Sequence, residues 1–336
     1  MSYAEPFGHK PSEVEELIMG HENHTFSSDF ILLGLFTSSQ TSLAFYSLIF
    51  IVFLMTVAEN TVMILLIHRD SHLHTPMYFL LSHLSFMDIL HSTNIVPKML
   101  TDFLSDSKTI SFAGCGFQIF LSISLLGGEC FLLGAMSYDR YVAICHPLRY
   151  PILMNEYVIV FLAGGSWIVG TLNSIIHTTY VLHFPFCGSR AIDHFFCEVP
   201  AMLKLSCAGL YTDTSVFEYA MYTCCVLMLL VPLSLILNSY SLILAAVLQM
   251  HSAEARRKAF GTCSSHLAVV GLFYGAAIFS YMRPKSNRSA NHGKVVSTFY
   301  TIFTPVLNPL IYNLRTNDVK GALTRLMGQC PALNNN

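Results

Sequence analysis

Apolar residues in this chain gather into seven runs, near 42–67, 77–98, 112–145, 157–178, 213–247, 258–282 and 293–313. A helix rises about 1.5 Å per residue, so about 20 apolar residues cross the hydrocarbon of a bilayer. Each run reaches that length. The third and fifth exceed it and are expected to project beyond the membrane on the side of their C-terminal ends. Run six is least apolar at its start, Lys258 to His266, and that turn is expected to be wet. After the last run, Arg315 to Met327 alternates basic and apolar residues, the pattern of a helix lying on a membrane surface. The pattern predicts an all-α membrane protein with a seven-transmembrane core at 42–313. A polar extracellular tail at 1–41 precedes it, and a cytoplasmic tail at 314–336, carrying a short C-terminal amphipathic helix, follows.

Composition agrees with the pattern. Of 336 residues, 53% are hydrophobic and only 11% charged, and the mean hydropathy is +0.54. That is the profile of an integral membrane protein, not of two or three soluble domains. A net charge of −2, with no basic run, argues against a nucleic-acid partner. The tail holds Glu13, Glu15, Glu16 and Glu22 but no short apolar core with a cleavage site. No removable signal peptide is expected, and the first span is left to act as its own insertion signal. Asn23-His24-Thr25 is a glycosylation acceptor if the tail enters the secretory lumen.

Charge does not orient the chain. The 18 Lys and Arg residues divide evenly between the two sides, so the positive-inside rule is silent. Cysteines decide instead. Cys187, Cys197 and Cys207 lie in the connection between runs four and five, and Cys115 opens run three. Four cysteines on one side suggest an oxidising compartment and two bridges, with three pairings open. That puts this connection, and the N-terminus with it, outside.

Several polar residues sit where lipid disfavours them. Glu59, Asp88 and Glu129 fall within apolar runs, each costing a few kcal/mol unless paired, solvated or protonated. Asp88 and Glu129, with Asn60 and Asn308, are placed to line a polar cavity for water, a proton or Na⁺. The alternative is protonated carboxyls hydrogen-bonded between helices. Buried acids also suit an ion-coupled transporter, which would carry repeats with broken helices; no such symmetry is evident. An enzyme is disfavoured, since no motif sets a nucleophile beside a base. At the end of run three, Met136 to Cys145 reads MSYDRYVAIC. Its Asp139-Arg140 pair, followed by Tyr141, can hold a guanidinium quiet until the helices part. In run seven, Pro309 of Asn308-Pro309-Leu310-Ile311-Tyr312 removes a backbone hydrogen bond and lets the helix bend, swinging Tyr312 between partners.

These strings, together with Leu73-His74-Thr75-Pro76-Met77-Tyr78, Ser239-Tyr240, the stretch Lys258 to Leu267 and Pro305-Val306-Leu307, occur in the order and places of one family. The chain resembles an odorant (olfactory) receptor of the rhodopsin-like G-protein-coupled class, of the tetrapod-type branch, over about residues 23 to 327. It departs from the family pattern at Glu59, where Gly is usual, and mildly at Ser137 and Gly261. The tail is long for the family, and Met19 would set Asn23 at the family's sugar position; residues 1–18 are then an extension.

The resemblance implies a seven-helix bundle with bridges Cys115–Cys197 and Cys187–Cys207 stapling a lid over the outer mouth. It implies an odorant pocket there, a small and mostly apolar volatile as ligand, and a stimulatory, olfactory-type heterotrimeric G protein that raises cyclic AMP. Helical spacing from Arg140 puts Ser122, Ile123, Leu126 and Gly127 on one face of span three. Family analogy adds Cys224 and Met228 from span five, Ala277, Ile278 and Tyr281 from span six, and Thr298 and Thr301 from span seven. Tyr274 is the candidate for sensing the ligand from below. Asp139, Arg140, Tyr141, Tyr240, Asn308, Pro309 and Tyr312 are the implied coupling and switch residues. No fixed cation lies at pocket depth, although Arg283 and Lys285 are near the rim, so a carboxylic acid is not the expected main ligand. His194-Phe195-Phe196-Cys197-Glu198 has metal-like spacing, but a bridged Cys197 is a poor ligand. No metal and no cofactor is assigned beyond Na⁺ near Asp88 and Glu129.

Overall fold

A computed structural model describes residues 29–35, 40–105, 107–186, 189–206, 215–281, 294, 297–315 and 317–328. Six long helices form in chain order: α1 Gln40–Arg69, α2 Pro76–Leu104, α3 Phe112–Cys145, α4 Glu156–His183, α5 Ser215–Leu248 and α6 Ala253–Tyr281. A π-helical segment, Phe299–Phe303, runs directly into α7, Thr304–Arg315, and α8 spans Asn317–Gly328. The α3 helix coincides with the apolar stretch that predicts it, whereas α1, α2 and α4 outrun theirs at both ends, and polar side chains cap the starts of α3 and α4. Ser111 accepts the Gly114 N–H at 3.0 Å ahead of α3, and Asn155 accepts the Val158 N–H at 3.1 Å ahead of α4. Pro76 starts α2, where a missing N–H costs nothing.

Five of these helices are long and apolar enough to cross a membrane: α1, α3, α4, α5 and α6. The α2 helix is as long, but its length includes Asp88, His91, Asn94, Lys98 and Asp102. The apolar part of the seventh region, Phe299–Ile311, is shorter. The central rod is α3, with 67% of its apolar window buried against 22% for α1. It packs most extensively on α4, where glycines bring the backbones together. A Cβ at Gly170 would lie 2.3 Å from the Ser124 carbonyl and 2.6 Å from the Gly128 nitrogen, so only glycine fits. Ser174 donates to the Phe120 carbonyl across the same contact.

The Cys115–Cys197 disulfide lies at one end of α3 and Arg140 near the other. At the disulfide end, β1 (Phe30–Leu32) is the middle strand of a three-stranded sheet. It pairs antiparallel with β2 (Thr109–Ile110) and parallel with β3 (Ala191–Ile192). Part of the stretch expected to be a tail is therefore tied into the cap over the bundle. Phe30 and Leu32 are buried there with Ile110, Cys115 and Cys197. Lys294 fastens the cap to the seventh region, donating to Asp193 at 2.6 Å and to the Gly34 carbonyl at 3.2 Å.

At the opposite end, α8 is amphipathic as expected, but its apolar face is taken by the bundle itself: Val319 and Ala322 are buried in the main core. Arg325 reaches Asp70 between α1 and α2, at 2.9 and 2.7 Å. The His72 backbone N–H and the Arg325 guanidinium hold the Asp70 carboxyl down to about 2. The expectation of a wet turn from Lys258 to His266 fails at its end. His266 is fully buried, because α6 packs that residue against Tyr240 of α5.

Candidate functional site

Near the disulfide end, Ser122 is held by a side chain that the pattern did not single out. Asn94 of α2 donates to the Ser122 hydroxyl at 3.0 Å and to the Gln118 carbonyl at 3.1 Å. Gln118 returns a bond to the Asn94 carbonyl at 3.0 Å, and its side-chain oxygen accepts the Cys197 backbone N–H at 2.8 Å. A polar chain thus runs from the disulfide-linked cap to Ser122. Ile123 and Leu126 are half-buried, Ile123 against the cap cluster and Leu126 against the main core. Gly127 lies where a Cβ would meet Gly170 at 3.1 Å and the Met228 methyl at 3.2 Å, so Gly127 and Met228 are neighbours.

On α5, Cys224 is half-buried, and its thiol points at the Asn173 side-chain oxygen at 3.4 Å. The next residue, Cys225, meets the buried His177 ring at 3.1 Å. Asn173 and His177 escaped the sequence reading, because a single His or Asn inside an apolar helix gives no sign of its direction. On α6, Tyr274 is buried and donates to the Cys130 carbonyl of α3 at 3.3 Å. Ala277 is buried as well, but Ile278 is 37% exposed and turned toward the outside of the bundle. Thr298 and Thr301 are buried, each hydroxyl donating to the carbonyl four residues back in its own chain. Between them, Tyr300 packs edge-on against His91 and Phe273.

The polar centre links α1, α2, α3 and α7. Asp88 is buried and accepts two bonds from Asn308, at 3.2 and 3.1 Å. Asn60 donates to the Pro305 carbonyl at 3.1 Å, inside the turn that Pro309 loosens by withholding its N–H. Glu129 is buried 3.7 Å from His91 and interacts electrostatically with Asp88. Oxygens of Glu129, Asn60 and Asn308 lack a hydrogen-bond partner among the described residues. Those unsatisfied acceptors, with two carboxylates, fit a small cation or protons shared between the acids. Glu59 stands outside this group, half-buried on α1 with one buried oxygen unpaired among the described residues.

The Arg140 end carries the buried Asp139–Arg140 ion pair. Asp139 is fully buried, and its Oδ2 accepts Arg140 Nε at 3.0 Å and Nη2 at 2.5 Å. Its Oδ1 accepts the Tyr150 hydroxyl at 2.7 Å. Burial and the adjacent carboxylate push the Tyr150 hydroxyl pKa up. Tyr141 meets His146 at 3.1 Å and packs on Ile243, Val247 and Cys263. The Tyr240 hydroxyl bonds His266 at 2.7 Å, tying α5 to α6. Ser137, where the family pattern has Ala, is buried and donates to the Gly134 carbonyl at 2.7 Å.

The Cys115–Cys197 bridge is present. In the same cap the rings of His194, Phe195 and Phe196 pack against one another in a three-ring cluster, with Glu198 3.5 Å from His194. Burial first, then Lys294, push the His194 pKa down to about 3 against the opposing pull of Asp193. Asn23, Cys187, Cys207, Arg283 and Lys285 lie outside the described residues, as do the side chains of Lys258, Tyr281 and Tyr312.

The structure is that of a multi-pass helical membrane protein, capped by the disulfide-linked sheet at one end and carrying a buried charge pair at the other. A family profile described as Olfactory receptor matches residues 46–330. Human Olfactory receptor 2AJ1 is 64% identical over 309 residues, which is 92% of this chain and 93% of that protein. Human Olfactory receptor 2T8 is 60% identical over 312 residues, 93% and 99% of the two chains. Mouse Olfactory receptor 2V1 is 56% identical over 308 residues, 92% and 96%. The chain belongs to the olfactory receptor family, and it is a receptor rather than an enzyme.

Proposed function

We propose that this receptor binds a small, mostly apolar volatile in the half of the bundle beneath the disulfide-linked cap, and that binding activates a stimulatory heterotrimeric G protein to raise cyclic AMP. The reading takes α2 and the region through α7 as membrane-crossing alongside the five longer apolar helices, giving seven spans. The N-terminus and cap then face outward at the plasma membrane, and the Asp139–Arg140 latch faces the cytoplasm. An oxidised Cys115–Cys197 pair supports that orientation.

The ligand region is drawn from Ser122, Leu126, Gly127, Met228, Tyr274 and Ala277. Buried apolar surface with a few hydroxyls suits a weakly polar guest. Tyr274, bonded to the Cys130 carbonyl, joins α6 to α3. A ligand that prefers the state in which this contact is broken shifts the population toward it, by no more than its difference in affinity. Asp88, Glu129 and Asn308 form the ion or proton site between the two ends.

The observation that carries the reading is the latch. Arg140 is the residue that an opening of α6 would release, and Asp139 holds it through two bonds to one oxygen. The test is a cyclic AMP reporter in cells expressing the receptor, screened against a broad odorant panel. An Arg140→Ala variant is expected at the cell surface with its odorant response abolished; an undiminished response overturns the coupling role.

A further inference from the structure

We propose that the seam between α5 and α6 at the Arg140 end is a binding site for an anionic membrane phospholipid, with an acyl chain in the seam and the phosphate on Arg256. The seam forms an open groove of about 200 Å³, walled on one side by α5 and on the other by α6. Tyr240, Ile243 and Val247 recur on α5 at three- and four-residue spacing, so they form one stripe facing the gap. Phe260 and Leu267 recur seven apart on α6 and form the opposing stripe.

The rim identifies the environment it opens onto. Leu244, Phe260 and Leu267 are 48%, 47% and 44% exposed, all apolar, so the gap faces hydrocarbon and not the interior of the bundle. A chain seated there covers apolar wall on both helices without leaving a polar group unsatisfied.

Charge selects the headgroup. Arg256 stands four residues before Phe260 and is exposed, so helical geometry places it on the same stripe, one turn beyond the end of the groove. Arg257, also exposed, is the next residue round the helix. Glu254, exposed as well, is turned about 160° from Arg256 by the 3.6-residue period, and so points away from the seam. A cation at the mouth of an apolar slot matches a phosphate joined to an acyl chain.

The inner wall of the seam is Tyr240, whose hydroxyl holds His266. A lipid there rests against the contact that ties α5 to α6. That consequence depends on the receptor reading, whereas the binding itself does not.

The test uses the full-length receptor in nanodiscs of phosphatidylcholine, doped with a photoreactive phosphatidylserine or a photoreactive phosphatidylcholine that carries its reactive group in the acyl chain. Cross-linked peptides are mapped by mass spectrometry, which needs neither odorant nor G protein, so a failure here is separate from a failure of the receptor assay. The serine lipid is expected to label the peptides containing Tyr240–Val247 and Phe260–Leu267 in preference to the choline lipid. Arg256→Gln, an exposed change that leaves packing intact, is expected to lower that preference about fivefold, the effect of removing one cation from an anionic surface. Equal labelling by the two lipids, labelling spread over all lipid-facing helices, or an unchanged preference in the Arg256→Gln variant overturns the proposal.

Discussion

Tyr150 donates its hydroxyl to Asp139 Oδ1 at 2.7 Å, on the oxygen that Arg140 leaves open. The carboxylate is fully buried, so each donor matters more than it would in water. In the structure Asp139 has two partners. In the open state proposed above Arg140 departs, and Tyr150 is the one that remains.

Removing the Tyr150 hydroxyl therefore costs the open state more than the closed one. Tyr150→Phe is expected to lower basal cyclic AMP and shift the odorant dose–response to about tenfold higher concentration, or about 1.4 kcal/mol. Surface expression should be unchanged. A leftward shift or raised basal signal would show that Tyr150 helps hold the latch shut instead.

The α3–α4 contact makes a sharper demand. A methyl at Gly170 would overlap the Ser124 carbonyl and the Gly128 backbone, and backbone cannot rotate aside. Gly170→Ala should cost more than the about 1–3 kcal/mol typical of overpacking and leave little receptor at the cell surface. Gly164 and Gly165, on the same helix, have nothing within 4 Å of an added Cβ. Alanine at either should express normally. Surface staining of the three variants side by side checks this, and normal staining of Gly170→Ala would contradict the close approach.

The cap should weaken in acid through His194. Its pKa of about 3 in the folded protein lies below the value of about 6.5 expected in an unfolded chain. Between those limits the unfolded state binds the extra proton, so stability falls as pH falls. Lys294 opposes protonation, while Asp193 and Glu198, the latter 3.5 Å away, favour it. Burial against Phe195 and Phe196 decides the balance. From pH 7 to pH 5 the loss is about 2 kcal/mol. Thermal unfolding of the detergent-purified receptor should show it, and His194→Phe should flatten the profile over that range. A profile equally steep in the variant would assign the acid sensitivity elsewhere.

Sequence pattern reached the helices because apolar runs of membrane length have few alternatives. It reached the Asp139–Arg140 pair because the two are adjacent. Asp88 and Asn308 were legible as polar intruders in apolar runs, and each proves to be the other's partner. Pairing across helices was otherwise hidden. Tyr150 sits in a connection eleven residues from Asp139, and nothing in its neighbours signals the bond. The cap sheet was invisible, since strands of two or three residues carry no periodicity. The π-helical turn at Phe299–Phe303 left no mark either. Gly170 reads as any small residue until the opposing backbone is in place.

The amides of Asn94 and Gln118 offer the last test. Each donates to the other's backbone carbonyl, and Gln118 also accepts the N–H of Cys197 in the cap. Gln118→Ala leaves a buried Cys197 N–H without that acceptor, at a cost of about 1–3 kcal/mol. Asn94→Ala frees the Ser122 hydroxyl and the Gln118 carbonyl at once. If the two side chains act as one unit, the double variant should lose less stability than the two single losses added together, with a coupling of at least about 0.5 kcal/mol. Thermal unfolding of the four proteins in detergent measures it. Asn94→Ala should also weaken the odorant response, because Ser122 then turns freely at the candidate pocket. Strictly additive losses would mean that the cap and Ser122 are held independently.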